Sequence, residues 1–255
     1  MNKNYSMMKK TILMLLGFCL AMSVQSQVSD KPSLYFTADQ MPVMKEFMPG
    51  PPDTMSVAFA NDLSRFFWGK EMRKDSLRAA QAASDAIYGL ESIISILQDA
   101  FGLKITKEDT PEIYTVLRDG TATCAEICTK PKKEYMRPRP FMVFNEPSLV
   151  PEHDEELRHN GSYPSGHTIL GWSAALLLME INPCAADAIL ARGYRYGENR
   201  VVVGAHWQSD TDAGRLAASV AYAKLHTSEA FLQQMKKARE EFKAKKAACC
   251  SHAGL

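Results

Sequence analysis

The chain has 255 residues, 46% of them hydrophobic, with 30 Lys and Arg against 29 Asp and Glu. That length buries one sizeable core without requiring a second domain. A formal net charge of +1 removes the bulk electrostatic case for a nucleic-acid polymer or an anionic membrane surface as partner, so any anion must be held by a local cluster.

Lys9 and Lys10 precede an apolar run, Thr11 to Val24, that is short for a membrane span. Val24-Gln25-Ser26 then offers small residues for cleavage before Gln27. Residues 1–26 therefore read as an export signal, with Met8 as an alternative start and a retained anchor helix as the competing reading. Residues 27–255 read as one domain, periplasmic or secreted, soluble, with no stable membrane insertion. Loss of Cys19 with the signal leaves Cys124, Cys128, Cys184, Cys249 and Cys250, an odd set in which at least one thiol has no partner within the chain. Cys124 and Cys128 lie one helical turn apart, a poor disulfide geometry and, with no His nearby, a weak zinc site. Both are expected to be packing residues, as is Cys184.

Residues 27–57 are punctuated by Pro42, Pro49, Gly50, Pro51 and Pro52 and are expected to form an irregular arm over the core. A helix is predicted over Val57 to Trp68. A longer one is predicted from Asp75 to Phe101, where Leu77, Ala80, Ala83, Ile87, Leu90, Ile94 and Leu97 recur at helical spacing. Asp109-Thr110-Pro111 starts the next, with Asp109 or Thr110 as N-cap, and it runs towards Lys132. Residues 138–164 read as a polar loop. Thr168 to Ile181 is apolar on nearly every side, which predicts a buried central helix stopped by Asn182-Pro183. Helices over Ala185 to Glu198, Trp207 to Leu225 and Glu229 to Lys246 complete the chain, with Val201 to Ala205 as a short connector. No strand alternation is present. The fold class is all-α, a single helical bundle behind an irregular N-terminal arm.

Three clusters carry chemistry. The first is Lys132 followed by Arg139-Pro140. Lys is a point-charge ligand for phosphate and Arg a bidentate one. An overlapping register, Lys130 with Arg137-Pro138, is disfavoured because Pro140-Phe141 follows Arg139. The second is Pro164-Ser165-Gly166-His167, directly before the apolar helix. Free amides and a positive dipole end make such a start an anion site, Gly166 admits close approach, and the Ser165 hydroxyl adds a donor. The plain alternative is a Ser N-cap beside an unrelated His. The third is Arg200, His206 and Asp210. His206 and Asp210 are four apart and share a helical face, so the carboxylate can accept from Nδ1 and leave Nε2 as a nucleophile. The plain alternative is a surface His–Asp pair.

Together, Lys132-x6-Arg139-Pro140, Pro164-Ser165-Gly166-His167 and Arg200-x5-His206-x3-Asp210 resemble the signature of the type 2 phosphatidic acid phosphatase (PAP2) superfamily, which also includes the vanadium haloperoxidases. The stretches Tyr135 to Phe141, Asn160 to Thr168 and His206 to Asp210 are most similar to the bacterial class A non-specific acid phosphatases, as are Pro49-Gly50-Pro51-Pro52 and Asp109-Thr110-Pro111. The resemblance implies an exported acid phosphatase for diverse small phosphomonoesters, with a phosphohistidine intermediate, some phosphotransfer, no cofactor and no metal. It implies that Lys132, Arg139, Arg200, Ser165 and the Gly166 amide bind phosphate. By the same resemblance His206 attacks, Asp210 orients it, and His167 protonates the leaving group. It also implies a homo-oligomer. Asn199 stands where the family usually has Ser before the third Arg, and Glu198 is a candidate ion-pair partner for Arg200. Of the other histidines, only His159 is placed near the pocket edge. A haloperoxidase, a membrane-embedded lipid phosphatase and a non-catalytic anion-binding protein are the competing functions.

Overall fold

The computed structural model describes residues 30–252. The expected export signal lies outside the described residues, as do the side chains of Cys249 and Cys250. The arm that follows contains two 3-10 turns, Ala38–Gln40 and Met44–Glu46. It is fastened across the core by polar contacts: the Ser33 amide donates to Asp119 (2.9 Å), the Tyr35 amide to Thr123 (3.1 Å), and Tyr163 Oη to the Pro49 carbonyl (2.7 Å).

Ser56 accepts the Phe59 amide and starts α1, Val57–Met72. Asp75 likewise accepts the Leu77 and Arg78 amides and starts α2, Ser76–Ser84. The single helix predicted over Asp75 to Phe101 is two helices, because α3 begins only at Leu90 and runs to Phe101. Apolar periodicity does not see the break. Asp85, at the end of α2, is pulled inward by Arg192, whose guanidinium donates twice (2.9 and 2.7 Å), and by Asn199 Nδ2 (2.7 Å). Gly89 then takes φ 140°, a conformation that excludes a continuing helix. Leu77 and Ile87, counted as part of the apolar stripe, are exposed.

Thr110 and Pro111 start α4, Pro111–Ala125, as predicted. A 3-10 turn, Glu126–Cys128, then carries the chain into α5, Thr129–Tyr135. The loop predicted over residues 138–164 holds two short helices, α6 (Pro140–Val143) and α7 (Asp154–Arg158). The predicted central helix is α8, Gly166–Ile181. It is followed by α9 (Ala186–Val203), α10 (Gln208–Leu225) and α11 (Glu229–His252). No strand occurs among the described residues, and no described helix is long and apolar enough to cross a membrane.

α8 is the axis of the bundle, packed against α4, α9 and α10. Ile169, Ala174, Ala175, Leu177 and Leu178 are fully buried on it. Glycines set how near its neighbours come. A Cβ on Gly193 of α9 would lie 2.6 Å from the Ala175 methyl, and one on Gly214 of α10 would lie 2.9 Å from the Ser165 carbonyl. Either would push α8 and its neighbour apart, and at Gly214 this would happen beside the functional segment at Ser165. Of the predicted connector Val201 to Ala205, Val201, Val202 and Val203 are instead the last turn of α9, which Gly204 ends at φ 78°. Val202 and Val203 stay helical because they fill a buried cluster with Ala82, Ala86, Val150 and Ala205. Cys124 and Cys128 are buried free thiols, as expected, but Cys184 is exposed, on the surface turn between α8 and α9.

Candidate active site

The start of α8, the end of α9, the start of α10, α5 and the segment before α6 converge on a cavity of about 580 Å³. Lys132, Arg139, Gly166, His167, Arg200 and His206 line it together, so five elements bring three cations and two histidines to one place. Asp210 and Ser165 are buried just behind this wall.

His206 Nδ1 is 3.3 Å from Asp210 Oδ2. The same oxygen accepts the Trp207 amide at 2.8 Å, which closes the first turn of α10. On its other side, His206 Nε2 is 3.0 Å from Arg139 Nη1. A guanidinium nitrogen only donates, so Nε2 is the acceptor and the ring proton sits on Nδ1, facing the carboxylate. Arg139 is itself held by the Leu157, Asn160 and Ala205 carbonyls at 3.0, 3.1 and 3.0 Å. Lys132 Nζ donates to the Gly161 carbonyl at 2.6 Å. This geometry supports the register with Lys132 and Arg139, since both reach the cavity. Lys130 pairs instead with Asp39 near the surface.

Arg200 differs from the other two cations. It is 1% exposed, and none of its three guanidinium nitrogens has a hydrogen-bond partner among the described residues. Glu198, the expected partner, faces the other way and pairs with Arg65, Arg78 and Arg195. Asn199 also turns from the cavity, donating to Asp85 and accepting from Arg78.

At the start of α8, Ser165 Oγ accepts from the Thr168 amide (3.3 Å) and lies 3.0 Å from the Thr168 hydroxyl. Ser165 is thus the N-cap and is not itself at the cavity wall. Gly166 is at the wall, and a Cβ there would point to Lys132 Cε at 3.5 Å. His167 Nε2 lies 3.0 Å from the Ala86 carbonyl, and its ring meets Tyr88 edge-on at a centroid distance of 4.8 Å. The break between α2 and α3 therefore supplies one wall of the site. The polar loop supplies the opposite rim through His153, Glu156, Leu157 and Asn160. His159, the predicted edge residue, is exposed and pairs with Glu155.

The PAP2 superfamily profile matches residues 120–231, a span that holds every residue from Lys132 to Asp210. The chain is 41% identical to the non-specific acid phosphatase of Providencia stuartii over 219 residues, 85% of this chain and 88% of the relative. It is 40% identical to that of Salmonella typhimurium over 232 residues, 90% and 92% of the two chains. An acid phosphatase of Zymomonas mobilis is 34% identical over 226 residues, 88% and 84%. The chain belongs to the PAP2 superfamily, among its acid phosphatases.

Burial and mutual repulsion dominate the electrostatics of this PAP2 site. Lys132 is pushed down to about 8, first by burial and then by Arg139. Arg139 is lowered to about 10 by burial and the Arg200 charge, and Arg200 to about 10 by burial. Both guanidiniums therefore stay charged at working pH. Burial, then Arg139, Lys132 and Arg200, hold His206 well below the usual imidazole range. Burial and Arg200 do the same for His167, against the Ala86 contact, which favours its protonated form. An anion entering the cavity opposes every one of these repulsions.

Two features of this PAP2 site were missed in the sequence. One is the wall from Ala86 to Tyr88, whose local signal is Gly89, a helix breaker inside the apolar periodicity. The other is the place of Arg137, weighed only as an alternative phosphate ligand, which does not reach the cavity and is buried between Asp62 and Asp210. Its partners lie 75 and 73 residues away along the chain, beyond the reach of any local pattern.

Proposed function

We propose that this protein is an exported, metal-independent acid phosphatase that hydrolyses diverse small phosphomonoesters through a phosphohistidine on His206. One observation carries the reading. Arg200 buries a full positive charge with three unpartnered nitrogens, in the same cavity as a histidine whose Nε2 lone pair is free of protons. A buried cation without a partner is costly unless an anion completes it. Among the described residues no three of His, Cys, Asp and Glu gather where they could hold a metal ion, and the chain's own Lys132, Arg139 and Arg200 supply the positive charge instead.

In the proposed reaction, Lys132, Arg139, Arg200 and the Gly166 amide hold the phosphate oxygens, with Ser165 shaping the turn behind them. His206 Nε2 attacks phosphorus, Asp210 keeps the Nδ1 proton aligned, and the ester P–O bond breaks. His167 gives its proton to the departing oxygen. The Ala86 carbonyl only accepts, so His167 Nε2 keeps a hydrogen and Nδ1 exchanges the proton. That proton is taken up with the substrate, because the dianion offsets the Arg200 repulsion. Water then attacks the phosphohistidine and loses a proton to His167, and the P–N bond breaks to return His206 and phosphate. An alcohol in place of water gives a new ester, hence phosphotransfer. The depressed affinity of His206 for protons keeps it nucleophilic in acid. Self-association and export, through the predicted signal, belong to this proposal.

Rapid acid-free quenching during turnover of p-nitrophenyl phosphate in EDTA, followed by mass spectrometry of the digest, tests it. We expect undiminished phosphate release and an adduct on His206. Loss of activity in EDTA with rescue by a divalent ion defeats metal independence, and an adduct on His167 alone reverses the two roles.

The alkaline limb follows from Lys132. With its proton released near pH 8, the cavity loses one of three cations as pH rises through that value. With p-nitrophenyl phosphate, whose leaving group needs no proton from His167, the limb of kcat/KM, which reports the free enzyme, is expected to fall there. Lys132→Arg should move the fall to higher pH. A wild-type kcat/KM that stays level from pH 7 to beyond 9 contradicts this assignment.

A further inference from the structure

Asp210 uses its two oxygens for two different tasks. Oδ2 faces His206 Nδ1 and the Trp207 amide, while Oδ1 accepts Arg137 Nη1 at 2.5 Å. The other arm of the same guanidinium, Nη2, donates to Asp62 Oδ2 at 2.7 Å. Asp62 is on α1, far in sequence from the rest of the site. It also takes the Ser209 amide at 2.7 Å and the Ser209 hydroxyl at 2.6 Å, and that hydroxyl accepts from Arg137 Nη1 at 2.8 Å. Side-chain exposure is 7% for Arg137 and 0% for both carboxylates. Arg137 is therefore shut off from substrate, yet it fixes the plane of the carboxylate that aligns His206.

We propose that Arg137, shared between Asp62 and Asp210, is a positioning residue that sets both the orientation of His206 and the share of the Asp210 charge left to it. The proposal rests on the reading of His206 as nucleophile. A carboxylate held at one oxygen by a planar, charged donor presents its other oxygen in one direction, which a water or a lone amide would not enforce. Asp62 competes for the same guanidinium, so it controls how strongly Arg137 draws on Asp210. The groups that face His206 directly are Lys132 from α5, Arg139 before α6, His167 from α8, Arg200 from α9 and Asp210 from α10. Against that fixed background the two sides of the bridge should act in opposite directions. Without Arg137, a cation is gone and Asp210 holds a proton on His206 more firmly. Without the Asp62 charge, Arg137 turns wholly onto Asp210 and His206 is protonated less readily.

The experiment compares Arg137→Met, Arg137→Lys and Asp62→Asn with wild type, using p-nitrophenyl phosphate and circular dichroism to establish folding. For Arg137→Met, kcat should fall about tenfold to a hundredfold, the range for losing an outer partner of an oriented histidine, with KM changed little. Its acid limb of kcat/KM should move to higher pH. Arg137→Lys should recover part of kcat, and Asp62→Asn should move the limb to lower pH. The substrate's own ionisation is common to all four proteins and cancels in the comparison. If Arg137→Met does not fold, the other two decide. Acid limbs that coincide with wild type in the folded variants overturn the proposal, and so does a rise in KM with kcat and limb unchanged. Quenched wild-type enzyme separates the two readings: no adduct on His206 removes the nucleophile assignment, whereas an adduct on His206 with unmoved limbs removes this proposal alone.

Discussion

His206→Ala is expected to lower kcat for p-nitrophenyl phosphate by about four to six orders of magnitude, the scale seen when a covalent nucleophile is removed, and to abolish the trapped adduct. No other imidazole in the cavity has its Nε2 lone pair set between a carboxylate-bound Nδ1 and a guanidinium. His167→Ala should behave differently. Removing a general acid costs about 10²- to 10⁴-fold where the leaving group needs a proton, so an alkyl phosphate should suffer that loss. The phosphorylation step with p-nitrophenyl phosphate, whose leaving group departs as a stable anion, should be far less affected. Burst kinetics on the two substrates separate the steps. Equal losses of His167→Ala on both esters would contradict its role as acid. Substantial adduct formation in His206→Ala would contradict the nucleophile.

Arg200→Ala should cost about 10²- to 10³-fold in kcat, near 3–4 kcal/mol, as for one preorganised donor to developing charge in a dry site. The expected signature is a separation of activity from stability. In the free protein Arg200 is a buried charge without a hydrogen-bond partner among the described residues, and burial lowers its proton affinity. Its replacement by Met should therefore raise the thermal midpoint of the free protein while activity falls. Inorganic phosphate should stabilise wild type by mass action and the variant much less. An Arg200→Met protein that is both less stable and equally responsive to phosphate would show that Arg200 is satisfied by something other than an anion.

The parts of this protein that the sequence determined are those whose causes are local. The 3.6-residue spacing, the N-caps at Ser56, Asp75 and Ser165, and the stop at Asn182-Pro183 make it all-α. The four-residue spacing of His206 and Asp210 reads as one helical face, but His206 lies before Trp207, the N-cap of α10, and the two side chains meet across the helix start. Lys132, Arg139, Gly166, His167 and Arg200 were picked out by the resemblance of three short motifs to the PAP2 signature, and the fold brings all five to one cavity. What the tertiary structure decided depends on partners distant along the chain. Periodicity reports burial and not continuity: Gly89 is a local breaker within Asp75 to Phe101, but the partners that draw Asp85 inward, Arg192 and Asn199, lie over a hundred residues away. That departure makes the Ala86–Tyr88 wall. Likewise Arg137 and Arg139 are near-identical as sequence, two cations flanking Pro138. One meets carbonyls and His206 at the cavity, and the other meets Asp62 and Asp210 beneath it, because only the folded bundle brings α1 and α10 against the same short segment.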